Sequence, residues 1–89
     1  MKKSSFTMRV HDIFQLPDKT VFVGIIDAQV DFLGAASCTL LLDGLERARL
    51  RIEGETLFRP RERALWSRER LELTKDEWMG KVVVLRSDD

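Results

Sequence analysis

Apolar side chains that return at every second position constrain this chain more than any other feature, because a period of two is the repeat of an extended strand with one buried face. Phe6, Met8, Val10, Phe14 and Leu16 occupy even positions and alternate with Thr7, Arg9, His11 and Gln15. Asp12 and Ile13 break that alternation, one polar on the apolar parity and one apolar on the polar parity, which predicts a bulge or bend there. Between residues 46 and 55 the pattern is cleaner. Ala48, Leu50 and Ile52 lie on one side, and Arg47, Arg49, Arg51, Glu53 and Glu55 on the other, so this strand has one wet face.

The remaining segments read in the same way. Pro17, Asp18 and Lys19 make a tight turn, since proline fixes φ and cannot serve an interior ladder. Residues 20–30 carry apolar side chains on both parities through Val21, Phe22, Val23, Ile25 and Ile26, the pattern of a core strand covered on both sides. Gly24 in its middle marks a bend or a close backbone approach. Residues 31–36 form a loop around Gly34, residues 38–42 a further strand, and Asp43-Gly44 between apolar runs a hairpin turn. Gly54 ends or bends the alternating strand, and residues 57–60 lead into a charged segment, 61–70, anchored by Leu65 and Trp66 and followed by Leu71 and Leu73. No pattern assigns a structure to 59–72. Thr74 with Glu77 three residues on reads as a capping box opening one helical turn before Trp78. Val82, Val83, Val84 and Leu85 do not alternate, so the last strand is expected to be buried on both faces. About six strands and no helix of ordinary length give an all-β domain, and a small sheet escapes its edge problem best by closing into a barrel.

Composition sets the outer bounds. A chain of 89 residues is expected to be one domain over 1–89, with 1–5 flexible, and one of this size buries roughly 60–65% of its unfolded surface. Fifteen basic and fifteen acidic residues cancel, so overall charge gives no argument for a nucleic acid or membrane partner. One cysteine, Cys38, rules out an internal disulfide and a multi-cysteine zinc site. No run of apolar residues is long enough for a signal peptide or a membrane span. The expected compartment is the cytoplasm.

The succession Val10, His11, Asp12, Ile13, Phe14, Gln15, Leu16, Pro17, Asp18, Lys19, Thr20 resembles the opening of the second domain of translational GTPases such as elongation factor Tu, which begins with a strand of the type V-x-D-V-F-x-I-P. That domain continues as T-V-V-T-G-R-V. Here Val21, Phe22, Val23, Gly24, Ile25 and Ile26 follow, and Gly34 stands where the family has the glycine of its Gly-Asp pair. The likeness is carried by residues 6–42, continues through 53 and thins afterwards, to Asp76 and the last strand. The first turn is one residue shorter than the family's and lacks its glycines, Gln29 replaces a family glycine, and Ala35 replaces the usual aspartate. No G-x-x-x-x-G-K-S/T occurs, so the resemblance implies a closed six-stranded Greek-key barrel without GTP hydrolysis. In the family this barrel packs on a GTPase domain and touches RNA or the ribosome.

No arrangement of residues advertises catalysis, a cofactor or a metal. His11, Asp12 and Cys38 have no nucleophile-and-base spacing, and the resemblance offers Asp12 a structural use at a strand bend. Asp27 and Asp31 flank one loop but fall short of the several convergent oxygens a hard cation wants. Residues 47–70 hold eight arginines against four glutamates. Arg47, Arg49 and Arg51 share a strand face, Arg59, Arg61 and Arg63 add a second row, and Phe58 and Trp66 offer stacking surfaces. The first functional expectation is therefore a non-catalytic binding module whose arginine face contacts RNA, the ribosome or an acidic protein surface. The competing description of the same residues is a solvated mixed-charge face in which glutamates neutralise the arginines. The alternative function is a protein-interaction or accessory subunit that docks through an apolar patch near Trp66 or Trp78.

Overall fold

The strand-period reading is met along most of the chain in a computed structural model, which describes residues 6–27, 34–59 and 62–88, the side chains of 57–59 excepted. Among the described residues seven strands follow one another: β1 (Thr7–Leu16), β2 (Lys19–Ile26), β3 (Ala36–Leu42), β4 (Leu45–Ile52), β5 (Gly54–Arg59), β6 (Glu62–Ser67) and β7 (Val83–Ser87). One helical turn, α1 (Lys75–Trp78), precedes β7. The strands form one sheet in the order β4-β3-β7-β1-β2-β6-β5, and every neighbouring pair is antiparallel. The expected flexibility of 1–5, the family position Gln29 and the loop carboxylate Asp31 fall outside the described residues.

Inward side chains meet across the ladders in rows. Leu40 pairs with Leu85, Leu85 with Met8, and Met8 with Ile26, while Phe22 pairs with Leu65. These residues belong to one hydrophobic cluster, and Met8, Phe22, Leu40, Leu65 and Leu85 are wholly withdrawn from solvent. The capping-box expectation holds in the half that Glu77 supplies: its Oε1 accepts from the Thr74 N–H at 3.3 Å. The turn delivers Trp78 into the core beside Leu73 and Leu71.

Four expectations need correction, each for a local reason. The bulge lies between Val10 and Asp12, with His11 the extra residue, so the inward parity inverts. Ile13 is buried, whereas Phe14 and Leu16 are 42% and 40% exposed rather than inward with Val10. Two-sided burial of β2 stops at Gly24, and Ile25 is half exposed. In β7, Val83, Leu85 and Ser87 are buried while Arg86 is exposed, and Val82 precedes the strand and faces solvent. A β-branched run there is an ordinary one-sided strand. The clean strand over 46–55 is divided at Glu53, with β4 pairing to β3 and β5 to β6, so seven strands replace six.

The ladders leave the sheet with two edges, β4 and β5, where closure was expected. Both edges come from neighbouring segments of chain separated by Glu53 alone. The Glu53 N–H donates to the Trp66 carbonyl of β6 at 2.8 Å. Among the described residues no helix is long and apolar enough to cross a membrane.

Candidate functional site

On β4 the inward turn of Leu50 and Ile52 sends Arg49 and Arg51 outward, and Arg47 sits in a second irregularity opposite Leu40 and Leu41. The row exists, but each member has an acidic partner. Arg49 Nε lies 3.3 Å from Glu46 and Arg51 Nε 3.6 Å from Glu53. Their side chains are 72% and 60% exposed, and pairs in that setting are worth a fraction of a kcal/mol. Arg47 does more. It bonds Glu77 at 3.0 Å and the Glu72 carbonyl at 2.8 Å, tying α1 and the segment before it to β4. The Arg47 guanidinium, followed by the Thr74 amide, holds the Glu77 carboxyl below its ordinary value.

Arg63 does not join a second outward row. It stands opposite Gly24 on the parity of Leu65 and makes two bonds to Glu55, at 2.6 and 2.7 Å, with side chains 21% and 10% exposed. A fork of that kind fixes geometry as well as charge. The side chains of Phe58 and Arg59, and the whole of Arg61, lie outside the described residues. Trp78 is 7% exposed, so the expectation that it anchors a surface patch is corrected at that residue: the helical turn aims it at the core.

A different surface emerges on the outer side of β1, β2 and β6. Phe14 is the register partner of Val21, and Val21 of Trp66, so the three form one row across three strands. The Lys19 ammonium stands 5.6 Å from the Trp66 ring centroid, within cation–π range. Leu16 and Ile25 extend the exposed apolar area along β1 and β2. Beyond Phe14 a shallow groove of about 290 Å³ runs between β1 and α1, lined by Asp12, Ile13, Phe14, Gln15, Lys75 and Trp78. Its wall is pinned where the Gln15 amide donates to the Leu73 carbonyl at 2.5 Å. Sequence reasoning found Trp66 but missed Phe14, Leu16 and Val21, which it assigned to the interior. The break at Asp12 and Ile13 was the signal, because an extra residue reverses every face after it.

Cys38 is fully buried on β3, its thiol directed at the Ala36 carbonyl 3.8 Å away. His11 faces solvent on β1 with Glu62 at 3.6 Å. The two sit on separate strands, one in the core and one on the surface. Asp12 accepts the Ile13 N–H at 2.9 Å, the local use expected of it at the bulge. Asp27 is exposed and its N–H continues the ladder to the Thr7 carbonyl.

Set against protein-family models, curated proteins and solved structures, the chain matches none.

Proposed function

We propose that the protein is a non-catalytic binding module that docks a partner protein through the apolar outer face of β1, β2 and β6. The row Phe14, Val21, Trp66 carries this reading, because Phe14 and Leu16 spend 42% and 40% of their surface in water where the described core offers them no place. Exposed apolar side chains grouped on one face, rather than scattered, mark interaction surfaces. Asp12 and Lys75 at the groove place opposite charges beside the strip, so the partner has an apolar ridge with polar groups at one end. The test is capture with wild type, Phe14→Asp and Arg49→Glu as baits. A partner retained by Arg49→Glu and lost by Phe14→Asp supports the apolar face, and the reverse pattern refutes it.

The second reading keeps the arginine face, since Arg49 and Arg51 are the most exposed of the row and recur at strand spacing. An anionic partner, RNA or an acidic protein surface, would displace Glu46 and Glu53. RNA binding of this kind weakens with salt by about 0.7 in the log-log slope per neutralised phosphate.

The sheet itself is read here as a closed barrel of the translation-factor second-domain type. Counting β4 and β5 as one bent strand makes the order cyclic with six members. The Glu53 bond to β6 supports this.

A further inference from the structure

The geometry points to Glu69 as a side-chain latch that closes the seam between the β4 edge and β6. The inference rests on the closed-barrel reading, and it concerns how the barrel is held shut where no ladder does so. In an antiparallel pair, alternate N–H groups face the partner strand and the others face away. The N–H groups of Arg51 on β4 and of Glu53 just beyond its end are of the second kind. The Glu53 N–H reaches the Trp66 carbonyl at 2.8 Å, and the Arg51 N–H is accepted by Glu69 Oε2 at 2.7 Å. A carboxylate thus occupies the place a strand carbonyl would take in a continuous β4–β6 ladder.

Glu69 is an exposed residue just beyond the end of β6, yet its backbone is fixed from the interior. Thr20 Oγ1 donates to the Glu69 carbonyl at 2.9 Å, and the Glu69 N–H donates to Ser67 Oγ at 3.1 Å. Thr20 and Ser67 are register partners on β2 and β6, and both are wholly buried. Two core hydroxyls therefore hold one surface glutamate in the orientation that reaches across the seam. Buried hydroxyls need partners, and here their partners are the two main-chain groups of the latch residue. An unpaired edge N–H is a template for strand addition by another chain, so the latch also denies that template to other molecules.

Amide hydrogen exchange followed by NMR tests the latch in wild type, Glu69→Ala and Glu69→Gln. Glu69 is exposed, so neither substitution removes core packing. In wild type the Arg51 and Glu53 amides are expected to be protected. In Glu69→Ala the Arg51 amide exchanges at least about tenfold faster, the loss of a bond to a charged acceptor, while the Phe22 and Leu65 ladder amides keep their rates. Glu69→Gln, which retains an acceptor oxygen, restores most of the protection. Wild-type amides at both Arg51 and Glu53 that exchange freely would defeat the closed-barrel reading itself. Protected wild-type amides with an Arg51 rate unchanged in Glu69→Ala, or as fast in Glu69→Gln as in Glu69→Ala, would defeat the latch and leave the barrel standing.

Discussion

At the scale of single residues, two positions carry more of the structure than their size suggests. Gly24 faces Val10 beside the bulge, and a Cβ there would stand 1.9 Å from the Arg9 carbonyl oxygen. The obstacle is backbone of the paired strand, which cannot swing away as a side chain would. Gly24→Ala is expected to destabilise the fold by about 1–3 kcal/mol or more, the range for forced overpacking, and urea unfolding measures it. Arg63 and Glu55 form the second case. Their fork is largely sheltered, so removing one partner strands a charge away from water. A double-mutant cycle with Arg63→Met and Glu55→Gln should give a coupling of about 1–3 kcal/mol, well above the fraction of a kcal/mol expected of the exposed Arg49 and Glu46 pair. Equal couplings for the two pairs would show that shelter does not govern their strength.

At the scale of elements, the hairpin at Asp43 and Gly44, the turn after Pro17, the bulge near Asp12 and the helical turn before Trp78 were all legible in the sequence. Each is written in local chemistry: a left-handed turn, a fixed φ, a broken alternation, a cap. What local chemistry did not settle was the consequence of the bulge. Phe14 and Leu16 keep the even numbering of Met8 and Val10, and nothing within β1 says that the extra residue His11 reverses which parity faces in. The division of 46–55 into β4 and β5 was half legible through Gly54, because a glycine signals a bend but not that the two halves pair with different strands. Strand β6 was hidden among charges, since Glu62 and Arg63 find their partners on other strands. Of the candidate site, sequence reasoning located the arginine row and expected glutamates to neutralise it, Glu53 among them, but it did not find Glu46 and Glu77, which come from outside the segment it weighed.

The tie between β4 and α1 belongs to the same scale. The Glu77 carboxyl is held below its ordinary value of 4.5, chiefly by Arg47. A lowered value means that its contribution is complete above the unfolded value and is lost as pH falls through the folded one. As pH falls below that ordinary value and through the lowered folded one, α1 is therefore expected to loosen from β4. Trp78 fluorescence in a Trp66→Phe background should report that step, and Glu77→Gln should remove it. An acid transition identical in the two proteins would show that the tie plays no part.

At the scale of the whole molecule, the sheet separates two apolar populations. One fills a single core drawn from β1, β2, β3, β4, β6 and β7 together with Trp78, and the other lies outside on β1, β2 and β6. The outer population exists because the bulge at His11 reverses the faces of β1 beyond it, and the docking reading depends on that reversal. Thiol labelling of single substitutions tests it most directly, with buried Cys38 as an internal unreactive reference. Cysteine placed by Phe14→Cys and by Leu16→Cys is expected to react with a charged reagent at close to the rate of the unfolded chain, and cysteine placed by Ile13→Cys is expected to stay protected until the protein is denatured. Protection at 14 and 16 with rapid labelling at 13 would contradict the account.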